Sequence, residues 1–510
     1  MTRRDSGTSW PDIAAQEAGD PLVVELCTGP VRGADTGTAH TFTGIPYAAP
    51  PVGPLRWRDP QPVAPWDDVV EATTPGSLCP QLGPFGEGAS EDCLFLNVTA
   101  PRERTGALPV LVWLHGGGYT VDGGSLYDAQ RLAAQGDVIV VTVNYRLGIF
   151  GYFGHPGLPG SGNFGLADQL ASLRWVRRNA AAFGGDPGNV TLFGQSAGAM
   201  SASALLTSPA AAGLFHKVIL QSGPGLLHWG EGVMFPNSPA HTPYASRATV
   251  DATGVRVAAA LGCRGSDAVE LLRHIPVSDL LEHTGEFANH LAYGTPLLPR
   301  DPAEALRRRE FHRVPVISGG TRDEMRPFIG GASLLEPITG ARYPELLRHS
   351  FGDDADRVAT RYPLEDYESA AMAWATVTTD ASWARDTAAA NRLLARHCPV
   401  YAYEFADRTA PNVNGMEIAG LPMGAAHASE LPYLFDLLGH DLLTPQQHQL
   451  GDTMIAHWTT FARTGDPNGP GNPDWPRFDH TGRVLQFAPG AVHPVDHRAR
   501  HQCDFWDRLR

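Results

Sequence analysis

The apolar run Val190-Thr191-Leu192-Phe193 leads directly into Gly194-Gln195-Ser196-Ala197-Gly198, and a helix-compatible stretch opens at Ala199-Met200-Ser201-Ala202. A strand, a sharp Gly-x-Ser-x-Gly turn and a helix together lift one serine hydroxyl clear of the backbone. The turn is strained, and residues without a Cβ let strand and helix approach closely enough to make it. Ser196 is therefore the candidate nucleophile. The chain has 56 glycines, so the pentapeptide alone is weak evidence and needs the rest of a hydrolytic site around it.

That site requires donors for a developing oxyanion, then an acid and a histidine further along the chain. Pro109-Val110-Leu111-Val112-Trp113-Leu114 reads as a buried strand that ends in His115-Gly116-Gly117-Gly118-Tyr119. Three consecutive glycines let backbone N–H groups come close to a substrate oxygen, so the N–H groups of Gly117, Gly118 and Ala197 are expected to form the hole. His115 is expected to be structural. Downstream, the apolar run Val314-Pro315-Val316-Ile317-Ser318 precedes Asp323 and Glu324, and His427 lies in the small-residue loop Gly424-Ala425-Ala426-His427-Ala428.

Strands are expected at 23–26, 110–114, 138–143, 190–193, 218–220, 314–317 and 400–405, with helices such as 166–179 between them. This alternation implies an α/β fold with a mostly parallel, helix-covered sheet, and with the serine elbow it is the plan of an α/β-hydrolase. Residues 1–20 read as a loose polar tail without the apolar core of a signal peptide, so a cytoplasmic location is expected, with secretion left open by cysteines that could pair. Residues 21–510 read as one catalytic domain. Helical insertions at about 229–310 and 328–397 are expected to wall a substrate gorge. A net charge of −15 argues against a nucleic-acid partner, and no apolar run is long enough for a membrane span.

Phe183 to Gly198, Glu91-Asp92-Cys93-Leu94-Phe95-Leu96-Asn97-Val98, Gly44-Ile45-Pro46-Tyr47, Asn144-Tyr145-Arg146-Leu147-Gly148 and Trp458 to Asn468 together resemble the type-B carboxylesterases. That family includes para-nitrobenzyl esterases, animal carboxylesterases and cholinesterases, and the matches run from about Leu22 to Trp506. The resemblance implies a triad of Ser196, Glu324 and His427 and an ester hydrolysed through an acyl-enzyme. It implies a small-molecule ester substrate touched by Tyr119, Gln195 and Trp229, and no metal or organic cofactor. The family usually has glycine after the acid, where this chain has Met325.

The resemblance also implies disulfides Cys79–Cys93 and Cys398–Cys503, with Cys27 and Cys263 free, and ion pairs Arg56–Glu91 and Arg146–Asp168. In the cholinesterase branch a tryptophan in the first disulfide loop and a glutamate before the nucleophile receive a cationic substrate. Here residues 79–93 contain no tryptophan and Gln195 is neutral, so neutral aryl or alkyl esters of short to medium acids are expected. Amidase, carbamate hydrolase and lipase activity use the same triad, and a non-catalytic binding module is the remaining alternative.

Overall fold

A computed structural model describes residues 20–509 of the chain, so the expected tail, up to residue 19, lies outside the described residues. Eleven strands form the central sheet: β1 (Ala34–Asp35), β2 (Ala39–Pro46), β3 (Phe95–Pro101), β4 (Leu108–Leu114), β5 (Ile139–Val143), β6 (Gly185–Gln195), β7 (Lys217–Gln221), β8 (Val316–Thr321), β9 (Val400–Phe405), β10 (Arg483–Phe487) and β11 (His493–Asp496). Their spatial order is β11-β10-β9-β8-β7-β6-β4-β5-β3-β2-β1.

From β10 to β5 every neighbouring pair is parallel. The remaining pairs, at the two edges, are antiparallel. The expected parallel sheet thus describes the middle of the molecule. β1, β2, β3, β10 and β11 were not anticipated, and the Val23–Leu26 strand belongs to a separate small sheet.

The parallel strands carry apolar residues on both faces because helices cover both. Along β4, Val110, Val112 and Leu114 enter one core while Leu111 and Trp113 enter the other, as the two-residue period of a strand requires. The second core is roofed by the helix Pro445–Thr464, through Leu450, Met454, Trp458 and Phe461. Thr444 and Gln447 form a reciprocal capping box at its start, and Gly465 ends it in a left-handed conformation at φ 81°.

Between residues 229 and 310 the chain forms the helices Arg247–Ala260, Ala268–Arg273, Val277–Leu281 and Pro302–Arg308. The later interval contains Tyr343–Phe351, Ala355–Arg361, Ala370–Thr378 and Arg385–Ala395, with a π-helical turn at Thr379–Ala384. Both expected ion pairs are buried and bidentate. Arg56 meets Glu91 at 2.7 and 2.6 Å, and Arg146 meets Asp168 at 2.7 Å through two nitrogens.

Cys79 and Cys93 are joined, but the second expected disulfide is absent: Cys398 and Cys503 are both buried thiols. Each has its own surroundings. The Cys398 thiol donates to the Leu394 carbonyl at 3.3 Å, at the end of the preceding helix. Cys503 opens the C-terminal helix Cys503–Asp507, amid the charges of Arg498, Asp380 and Asp507. Burial pushes the two thiols up to about 11 and about 12, which keeps them protonated and unreactive. Cys27 and Cys263 are also free.

Candidate active site

The carboxyl ends of β4, β6, β7 and β8 meet on one side of the sheet, where open α/β sheets present their ligand crevice. Ser196 follows β6 at φ 54° and ψ −123°, a conformation rarely adopted by a residue with a side chain. It is held there by an N–H bond to the Gln221 carbonyl at 2.9 Å and by the helix Ala197–Thr207, which begins at the next residue. Gly198 makes this turn possible: a Cβ on it would lie 1.9 Å from the Leu114 carbonyl oxygen at the end of β4.

Glu324 follows β8, and its Oε2 lies 2.5 Å from Nδ1 of His427. Its other oxygen accepts from the Ser222 hydroxyl at 2.6 Å and from the Thr321 N–H at 2.8 Å. Both oxygens are thereby engaged, which fixes the carboxylate in one orientation. The neighbouring Asp323 joins the acid loop to the histidine loop. Its N–H donates to the Ala425 carbonyl at 2.9 Å, its Oδ2 accepts from the Ala425 N–H at 3.1 Å, and it forms an isolated bridge with Ala426. Asp323 is itself held by Arg326 and Arg408, each at 2.8 Å.

Ser196 and His427 face a common cavity of about 520 Å³, together with Gly117 and Gly118. The two glycines sit at φ 85° and 60°, and among the described residues the N–H groups of Gly117, Gly118 and Ala197 have no acceptor. With the Nδ1 proton directed at Glu324, the free Nε2 lone pair of His427 accepts from the Gln195 side-chain amide at 3.1 Å. The imidazole packs against Trp383 and Phe328, with ring centroids 4.9 and 5.2 Å away.

Met325 explains part of this packing. It is fully buried, and its sulfur accepts from the Trp383 indole N–H at 3.2 Å. The larger side chain at this position therefore braces an aromatic wall of the site, while the Glu324–His427 contact stays short. Glu430, three residues after His427, is buried with one oxygen unpartnered and the other 3.3 Å from the Gln221 amide. Burial first, then the nearby Glu324 charge, pushes its carboxyl up to about 7.

The family model of the carboxylesterases matches residues 20–506. The chain belongs to the carboxylesterase family. It is 35% identical to the para-nitrobenzyl esterase of Bacillus subtilis (strain 168), over 89% of this chain and 92% of that one. It is 34% identical to a human cocaine esterase, over 94% and 88% of the two chains. A solved thermophilic PNB esterase superimposes with a TM-score of 0.78 at 31% identity, covering 96% of this chain and all of that one. This carboxylesterase is thus a serine carboxylic-ester hydrolase, with an α/β-hydrolase fold and small-molecule esters as substrates. No helix among the described residues is long and apolar enough to cross a membrane.

Of the carboxylesterase's expected substrate contacts, Gln195 and Trp229 line the cavity and Tyr119 does not. Tyr119 has φ 65°, which turns its ring into the core. There it packs edge-on against Tyr152 at 4.9 Å, and its hydroxyl accepts from Ser201 at 3.5 Å. His115 is structural, as expected: it stacks on Tyr145 at 4.3 Å, and burial lowers its pKa and keeps it neutral. Met200, Met234, Phe235, Phe328 and Trp383 complete the apolar wall and were not anticipated. Ser222 was likewise missed as a partner of the acid, although its place just after β7, beside the elbow strand, is a usable signal.

Proposed function

We propose that the protein hydrolyses neutral aryl and alkyl esters of short to medium acids through an acyl-enzyme on Ser196. In this reading His427 takes the Ser196 proton as the hydroxyl oxygen attacks the ester carbonyl carbon, and Glu324 stabilises the resulting imidazolium. The Gln195 amide gives up the Nε2 lone pair as that proton transfers. The N–H groups of Gly117, Gly118 and Ala197 receive the oxyanion. The alcohol leaves with the proton from His427, and a water then repeats the sequence on the acyl group to release the acid.

The observation that carries this reading is the 2.5 Å Glu324–His427 contact on a cavity that also holds Ser196 and the unengaged N–H groups of Gly117 and Gly118. The preference for neutral esters rests on the wall. Trp229, Trp383, Phe328, Met200, Met234 and Leu431 offer apolar surface, which suits a neutral acyl group. One carboxylate among the described residues lines the cavity, that of Asp122, and its oxygens are taken by the Tyr127 hydroxyl and the Gly123 N–H. Burial raises its pKa, which works against a charge there. The disulfide loop contributes Phe85, a weaker cation–π partner than a tryptophan.

The test compares kcat/KM for butyrylthiocholine with that for a neutral butyryl thioester of similar leaving-group reactivity. The neutral substrate is expected to win, and a clear advantage for the choline substrate refutes the preference. Ser196→Ala should lower turnover ~10⁶-fold, by analogy with other triads. Comparable activity in that variant removes Ser196 from the mechanism.

A further inference from the structure

Behind the acid loop lies a second, smaller cavity of about 90 Å³ that shares no lining residue with the substrate cavity. Four arginines line it, Arg322, Arg326, Arg408 and Arg500, with His501 beside them. Asp323 and Asp380 also face it, and Glu404 lies just behind, against Arg500 and His501, so three carboxylates oppose four guanidinium groups.

Those carboxylates are already engaged. Asp323 is clamped by Arg326 and Arg408. Asp380 accepts from His501 at 2.5 Å and from the Tyr362 hydroxyl at 2.9 Å. Glu404 takes His501 at 2.6 Å, His497 at 3.1 Å and Arg500. Arg322 is left over: it is half-buried, and among the described residues its guanidinium has no hydrogen-bond or ion-pair partner. Burial, followed by the charges of Arg408 and Arg500, lowers its pKa, against the smaller opposing effects of Glu404 and Asp323.

We propose that this cavity is a binding site for a small tetrahedral oxyanion, with Arg322 as its principal ligand and Arg500 and Arg408 as flanking donors. A guanidinium offers a planar fork matched to two oxygens of such an anion. The volume is right for the class: at ~10–15 Å³ per water-sized centre, the cavity holds the handful of heavy atoms of phosphate or sulfate. It leaves no room for a nucleotide.

The neighbouring cluster of Glu404, His497 and His501 brings three potential metal ligands together, but its chemistry points the other way. Nδ1 of His501 lies 2.5 Å from Asp380 and its Nε2 lies 2.6 Å from Glu404. Both ring nitrogens of His501 are therefore taken by carboxylates, which leaves it no position for a cation.

The test uses the full chain with sodium phosphate and, separately, sodium sulfate, at an ionic strength held constant with sodium chloride. Thermal midpoint and isothermal titration are the readouts. A saturable rise in midpoint and one site per chain are expected. Arg322→Gln removes no hydrogen bond or ion pair between described residues, so its midpoint in chloride alone should stay close to the wild type, while its affinity for both anions falls ~10-fold or more. Arg322→Lys, which keeps the charge and loses the fork, should fall between the two. The absence of a saturable response to either anion overturns the proposal, and so does an unchanged affinity in Arg322→Gln. A saturable rise with zinc chloride and none with the oxyanions also overturns it, because the cluster would then be a cation site.

Discussion

Gly198→Ala tests whether the serine turn is as tightly built as its geometry implies. The added methyl would sit 1.9 Å from the Leu114 carbonyl oxygen and 2.6 Å from that of His115, and ordinary contact begins at about 3.4 Å. The helix start and the end of β4 must therefore separate by about 1.5 Å. Both neighbours are backbone atoms, so no side chain can rotate out of the way. Overpacking of this kind costs ~1–3 kcal/mol, and here it also moves Ser196 away from Gly117 and Gly118. A misplacement of ~1 Å at reacting groups can lower the rate ~10²-fold. The assay is kcat on a neutral p-nitrophenyl ester, together with the thermal midpoint. The control is Gly285→Ala, at an exposed glycine whose Cβ would meet nothing within 4 Å, and it should behave as wild type. Wild-type kcat and midpoint in Gly198→Ala would refute the close-approach argument.

Arg146→Met leaves Asp168 as a buried, unpaired carboxylate and should cost ~3–5 kcal/mol, most of it recovered in Arg146→Met/Asp168→Leu; thermal or urea unfolding of the three proteins measures this. Glu430 has a folded pKa of about 7 against an ordinary 4.5, so the folded state binds the extra proton. Stability from this group is complete below about 4.5 and is lost as pH rises through about 7. Glu430→Gln should therefore flatten the fall in thermal midpoint across that window, and an unchanged slope would show that the carboxyl is not the titrating group. Titration of the denatured, unreduced protein should find four thiols, since one disulfide is closed. A count of two would restore Cys398–Cys503, and a count of six would mean that the Cys79–Cys93 loop is open, with a loss of ~3 kcal/mol from a loop of this length.

Ser196 was legible from the apolar strand, glycine turn and helix around it; a strand end narrowed the acid to Asp323 or Glu324, and the choice of Glu324 and of His427 among 20 histidines came from the family resemblance. Phe328, Trp383 and Met200 were not legible. Their place on the cavity wall depends on how helices far apart in the chain fold over the strand ends, and no local pattern records that. β2 was missed for a different reason. It contains Thr41, Thr43 and Gly44, and its register slips between Phe42 and Ile45, so it lacks the apolar run that marks a buried parallel strand. Cys398 and Cys503 show the limit of resemblance: two cysteines can occupy family positions while the surrounding helices hold them in separate environments.

Glu324 and His427 are 103 positions apart, yet they meet through a joint only a few residues wide, the Asp323 clasp on Ala425 and Ala426. Up to Ala395 the chain between them is mostly helical wall, and the central strand β9 and the histidine loop follow. Lengthening, trimming or exchanging that wall reshapes what can enter the cavity without touching the joint. In an evolving lineage, or on a design bench, the diet of such an enzyme can change while its chemistry stays in place.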